Sequence, residues 1–311
     1  MSKSTFKQET LSLEVELGPL RLKNPVLTAS GTCGYGEELA DWMDLSSLGA
    51  VVTKTVTRQP RAGNPSPRTC ETPSGMLNAI GLQNVGVERF IEEKLPFLHS
   101  LGVSLIVNIA GETVEDFANL AKAFNDKNSV NALELNISCP NVAHGLDFAT
   151  DPHQTKEVLV AVRDVTDLPI IAKLSPNVTD IRPIALAAQE GGADILSMTN
   201  TFIGMAIDIE LRRPVISNLT GGLSGPAIKP LSLLAVYHCA QTVDIPIIGI
   251  GGIANAADAI EYLLAGASAV QVGTATFVQP DAASQVLRGI EEYMQRHNIK
   301  NVQEIVGALQ I

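Results

Sequence analysis

Eight short apolar runs, rich in β-branched residues, recur along the chain at fairly even intervals. They read PVLTASG (25–31), AVVTKTV (50–56), LIVNIAG (105–111), ALELNISC (132–139), PIIAKLS (169–175), ILSMTNT (195–201), PIIGIGG (246–252) and AVQVGTA (269–275). Their apolar positions are consecutive rather than alternating, which predicts strands buried on both faces. Helical patterns fill most of the gaps: 87–101, 113–126, 153–165, 180–192, 231–243, 255–267 and 281–298. The second of these opens with a capping-box-like start at Thr113. Eight strands alternating with helices predict an α/β fold, a (β/α)8 barrel of the TIM type. An open doubly wound sheet is the competing arrangement, but the chain has no Gly-x-Gly-x-x-Gly signature.

Two segments exceed ordinary connection lengths. Residues 57–86, rich in Pro, Gly and Asn, follow the second strand, and residues 202–230 follow the sixth. Both leave the C-terminal ends of strands, where barrel enzymes carry their sites and lids. With no internal linker and no low-complexity tract, residues 1–311 read as a single barrel domain with insertions.

Charge narrows the function classes. The 22 basic residues are outnumbered by 33 acidic ones, a net charge of −11. A nucleic-acid partner is not expected, because gripping phosphate backbones needs a basic surface. Cys33, Cys70, Cys139 and Cys239 form no Cys-x-x-Cys pair and no zinc-like spacing with histidine, so no metal site is expected. Scattered thiols, no apolar leader and no run long enough to span a bilayer predict a soluble cytoplasmic protein.

Polar residues collect at the predicted strand ends: Ser30, Lys54, Asn108, Asn136 with Cys139, Lys173, Asn200 with Thr201, Gly251-Gly252 and Gly273-Thr274. Each has a plain reading. A strand-end lysine snorkels, an asparagine forms turns, and a lone cysteine fills core. Joint placement at one end of the barrel is what those readings leave unexplained. The set suits an anionic, planar, multiply hydrogen-bonded ligand beside a phosphorylated cofactor. Lysines supply charge, asparagines match amide edges, and the glycine turns after the last two strands suit a phosphate. Cys139 offers a base if its thiol is acidified. His144, in the loop after it, is the nearest histidine in sequence.

The stretches ELNISCPN, SPNVTDI, TNTFIGMAIDIELRRPV, GGLSGPAIKP, GMLNAIGLQN and the closing GIGG…VGTA together resemble the dihydroorotate dehydrogenase family, from about Leu11 to the C-terminus. The resemblance implies an FMN barrel that oxidises (S)-dihydroorotate to orotate in de novo pyrimidine biosynthesis. It implies Cys139 as general base, taking the C5 proton as C6 delivers hydride to the flavin. Lys54 would touch both flavin and substrate. Asn78, Ala79, Ile80, Gly81 and Leu82, with Asn136, Asn200 and Thr201, would bind substrate. Ser30, Thr53, Asn108, Asn136, Lys173, Thr199 and Gly225 would contact FMN, and Gly251, Gly252, Gly273 and Thr274 its phosphate.

Within the family, membrane-associated members use serine as base and carry an N-terminal extension, whereas this chain has Cys139. NAIGLQN, SPNVTDI and GGLSGPAIKP resemble the NAD-linked type, the catalytic subunit of a heterotetramer whose FAD and 2Fe–2S groups sit on a separate subunit. A homodimer of this chain is implied as well. The fumarate-linked type, a dihydropyrimidine dehydrogenase-like subunit, a non-redox phosphate-binding barrel and a regulatory barrel are the alternatives. Three details depart from the family pattern or leave it open. The loop NVAHGLDFATDP is about a residue shorter than in relatives, Cys33 stands where an aromatic is common, and Arg212-Arg213 reads as a partner contact or a solvated turn.

Overall fold

A parallel hydrogen-bond ladder runs through all eight predicted strands and returns to its start. The computed structural model describes residues 11–137 and 148–311. A hairpin of β1 (Val15–Leu17) and β2 (Leu20–Leu22) precedes the first barrel strand, β3 (Val26–Thr28). Next come β4 (Ala50–Val52), the inserted pair β5 (Thr69–Thr72) and β6 (Gly75–Asn78), then β7 (Ser104–Ile109), β8 (Ala132–Asn136), β9 (Ile170–Lys173) and β10 (Ile195–Met198). The second insertion holds β11 (Phe202–Gly204), β12 (Ile207–Asp208), β13 (Arg213–Pro214) and β14 (Gly221–Ser224). Strands β15 (Ile247–Ile250) and β16 (Ala269–Val272) complete the set. The barrel order is β3-β4-β7-β8-β9-β10-β15-β16, closed by parallel pairing of β16 with β3.

Every residue of β3, β4, β8, β9, β10, β15 and β16 is buried, as consecutive apolar runs require. Where the following residues are described, the ladders stop two to four residues short of the predicted runs, and polar groups begin there; the end of the run 132–139 lies outside the described residues.

Outside the barrel, helices present one apolar face inward. Thr113 caps the helix Val114–Lys122, its hydroxyl accepting from Asp116 N at 3.1 Å. Asn255 and Asp258 form a reciprocal capping box on Ala256–Leu264. The helix predicted over 87–101 is not one regular helix. It runs as Val87–Arg89, a π-helical turn Phe90–Lys94, and Leu95–Ser100. Pro96 has no N–H to donate back one turn, and the widened turn accommodates it.

The two insertions are not irregular connections. They pair with each other in an antiparallel sheet, β11-β14-β6-β5, over the C-terminal mouth of the barrel. Asn78 lies opposite Gly222 and Met76 opposite Ser224, joining segments far apart in sequence.

Phe117 is fully buried and meets Phe148 edge to face, ring centroids 6.0 Å apart. Phe117→Ala is expected to lower stability by about 3–5 kcal/mol through lost burial and the cavity left behind. Urea unfolding checks this, with half-exposed Leu186→Ala as a control that stays within about 0.5 kcal/mol of the parent.

Candidate active site

At the C-terminal end of the barrel a cavity of about 900 Å³ opens beneath the inserted sheet. Strand ends form its floor and walls. Asn136 and Lys173 are the last residues of β8 and β9, in register with each other. Ser30, Lys54, Thr199, Asn200 and Thr201 lie just past their strands. Asn78 comes down from β6, and Ala79, Ile80, Gly81 and Leu82 continue the wall from there. Gly225, Gly251, Gly252, Gly273 and Thr274 line the opposite side. Thr53 and Asn108 do not line the cavity. Both are fully buried in the barrel wall, where Thr53 Oγ1 accepts from Asn108 N at 3.2 Å. Cys139 and His144 lie outside the described residues.

The amide side chains hold one another. Asn200 Nδ2 donates to Asn136 Oδ1 at 3.1 Å, and Thr201 N donates to Asn200 Oδ1 at 2.8 Å. Asn78 Nδ2 reaches Gly222 O at 3.3 Å, fixing the roof strand to its partner. Asn177, a cavity residue not singled out in the sequence, donates to Thr201 O at 3.1 Å and accepts from Ile203 N at 2.9 Å. It ties the end of β9 to the start of the second insertion. The sequence signal was available, an Asn directly after Ser175-Pro176 at a strand end.

Two ammonium groups face this amide cluster. Lys54 Nζ sits beside Gly31, 3.7 Å from where a Cβ there would be. Burial pushes the Lys54 pKa down, and the nearby cations Lys173 and Arg68 push the same way, against an opposing effect of Cys33. Lys173 lies 3.7 Å from Glu134 Oε1. Glu134 itself, inside the apolar run of β8, is fully buried below the floor.

On the far side three glycines from two turns crowd together. Gly225, Gly251 and Gly252 all have positive φ (96°, 133° and 67°), which side-chain-bearing residues rarely adopt. A Cβ on Gly252 would lie 2.8 Å from Gly225 O, and one on Gly251 only 2.4 Å from Ser232 Oγ. Tyr262 braces the turn from below, its hydroxyl donating to Gly251 O at 2.7 Å. Backbone this bare and closely held is the chemistry of a phosphate cradle. Gln271 lines the cavity with a buried Oε1 that has no partner among the described residues, an acceptor suited to a ring N–H. Cation pair, amide edges, orphan acceptor and cradle together fit a phosphorylated planar ring system with a second small anion.

The lowered Lys54 pKa sets a testable pH dependence. Between its depressed folded value and 10.5 the unfolded chain holds the proton more tightly, so wild-type stability rises with pH in that window. Ligand-free Lys54→Met is therefore expected to be more stable than wild type at neutral pH. The gap should narrow as pH rises toward 10.5, as read by thermal unfolding at several pH values.

Residues 12–294 match the family model described as dihydroorotate dehydrogenase. The chain is 54% identical over 298 residues to a protein of Geotalea uraniireducens (strain Rf4), covering 96% of this chain and 98% of that one. It is 54% identical over 300 residues to one of Geotalea daltonii, with the same coverage. It is 53% identical over 300 residues to one of Trichlorobacter lovleyi, covering 96% of this chain and 99% of that one. All three relatives carry the name dihydroorotate dehydrogenase B (NAD(+)), catalytic subunit. With its closed eight-stranded barrel and a match spanning most of its length, the chain belongs to the dihydroorotate dehydrogenase family, flavin-dependent oxidoreductases built on a (β/α)8 barrel.

Proposed function

We propose that this chain is the catalytic subunit of an NAD-linked dihydroorotate dehydrogenase, oxidising (S)-dihydroorotate to orotate in de novo pyrimidine biosynthesis. The observation that carries the reading is the convergence of Lys54, Lys173, Asn78, Asn136 and Asn200 on one cavity large enough for two ligands. The share of sequence held in common with relatives of that name supports it.

FMN is the flavin assigned to the cavity, within one domain spanning residues 1–311. Ser30, Lys54, Asn136, Lys173 and Thr199 would hold its ring and ribityl chain, with Gly225, Gly251, Gly252, Gly273 and Thr274 around the phosphate. Thr53 and Asn108 would serve the same group from within the wall. When bound, FMN supplies the acceptor for the hydrogen leaving C6 together with its electron pair.

The chain's own residues do the rest. Asn78, Asn136 and Asn200 offer paired donors and acceptors to the pyrimidine ring, with Thr201 and the backbone from Ala79 to Leu82 closing around it. Lys54 supplies a cation where the substrate carboxylate would lie. Because its charge is desolvated, an anion there relieves a cost the empty site bears. Cys139 Sγ, three positions after the last residue of β8 in sequence, would take the proton from C5. The inserted sheet lines the cavity from above and would shield the reacting carbons from water.

Electrons would leave for NAD⁺ through a partner carrying FAD and a 2Fe–2S cluster, two copies of each chain forming a heterotetramer around a homodimer of this one. The relatives' description as catalytic subunits supports a partner. So do the exposed Phe277 and Val278 at the cavity rim and Ile203, Ile207 and Ile209 on the second insertion. No helix among the described residues is long and apolar enough to cross a membrane, and the cytoplasm is the proposed location.

The test is anaerobic. Purified protein should show a flavin spectrum that bleaches promptly on adding dihydroorotate and not dihydrouracil; a flavin that stays oxidised with dihydroorotate sinks the reading. Cys139→Ala should keep FMN and slow that bleaching by about 10²–10⁴-fold; near-normal bleaching removes Cys139 from the role. The isolated chain should reduce NAD⁺ poorly, and robust NAD⁺ reduction by pure protein overturns the need for a partner.

A further inference from the structure

Beneath the cavity floor the barrel interior holds a polar layer that the proposed reaction leaves unused. Glu134 is fully buried and receives side chains from four other strands. Oε1 accepts from Asn108 Nδ2 of β7 at 2.6 Å and lies 3.7 Å from Lys173 Nζ of β9. Oε2 accepts from Ser197 Oγ of β10 at 2.9 Å and from Gln271 Nε2 of β16 at 2.7 Å. Barrel interiors are usually filled by branched aliphatics, so a charged layer needs a reason. Stability is a poor one, since a buried ion pair is often worth no more than an apolar replacement.

The hydrogen-bond pattern supplies a better one. An ionised carboxylate only accepts, so both neighbouring amides must turn their NH₂ groups toward it. Their oxygens then face elsewhere, and both Asn108 Oδ1 and Gln271 Oε1 lack a partner among the described residues. Gln271 and Lys173 both line the cavity. One carboxylate thus sets two properties of the floor, a cation and an unmet acceptor.

We propose that Glu134 is a positioning residue for the bound flavin: it holds the Lys173 ammonium at the floor and orients the Gln271 amide so that its oxygen faces a ligand N–H. This rests on FMN occupying the cavity. It adds a residue that does not touch the ligand and acts through two that line the site. A glutamine in place of Glu134 keeps the shape but removes the charge. It also sets an NH₂ against two of the four partners, either Asn108 and Lys173 or Ser197 and Gln271, so an amide must flip.

The experiment compares FMN affinity and the visible spectrum of bound FMN in wild type, Glu134→Gln, Lys173→Gln and the double variant, with urea unfolding of each. Glu134→Gln is expected to weaken FMN binding by about tenfold or more and to shift the bound-flavin bands. Because Glu134 acts partly through Lys173, the loss in the double variant should fall short of the product of the single losses. Wild-type affinity and spectrum in folded Glu134→Gln would overturn the proposal, as would losses that simply multiply. Ser197→Ala removes one donor to the carboxylate without touching the cavity, and covers the case where Glu134→Gln does not fold. A smaller shift in the same direction supports the proposal and an unchanged spectrum and affinity defeats it. Wild-type protein that binds no FMN overturns both readings, whereas FMN-binding wild type with an indifferent Glu134→Gln overturns this one alone.

Discussion

Pairing of β16 with β3 is the constraint on which the site depends. Val270, Gln271 and Val272 lie beside Val26, Leu27 and Thr28, and that contact turns an open sheet into a ring. Once the ring is closed and parallel, every strand ends at the same rim. Residues from opposite ends of the chain, Ser30 and Thr274, then share one cavity. Closure also brings Gln271 to within 2.7 Å of Glu134, more than a hundred residues away, which no open arrangement of these strands would require.

The second constraint lies above the rim. A barrel mouth is open to water, and small planar anions held there compete with solvent for every hydrogen bond. The paired insertions change that environment. Asn78 is both a strand residue in the roof and a wall of the cavity, so the hydrogen bonds that stabilise the lid also aim a ligand-facing amide. Desolvation under this roof depresses the Lys54 pKa, and it raises the value of any anion that arrives.

Much of this was legible in the chain. Consecutive apolar runs located all eight barrel strands because residues buried on both faces tolerate little else. Lys54, Lys173 and Asn136 stood out as polar groups at the ends of those runs. Pairing between the insertions was not legible. Short antiparallel strands rich in glycine carry weak alternation, and their partners lie well over a hundred residues away. The helical pattern ran through Pro96 as a single helix, and the π-turn before it emerged only in the structure. Glu134 was visible as a charge within a strand, yet its significance depends on four partners that only closure assembles. Thr53 and Asn108, read as contacts of the cofactor, are fully buried in the wall beneath the strand ends that open into the bowl.

The register between β6 and β14 has a consequence for how such a chain can change over generations. A residue gained or lost inside either strand would slide Asn78 off Gly222 and turn its side chain to the opposite face. Length changes are therefore confined to the tips and flanks of the two segments, or must arise in both strands together. Although they are separated by half of the barrel's strands in sequence, the two insertions form one heritable unit, and variants of one are to be sought alongside variants of the other.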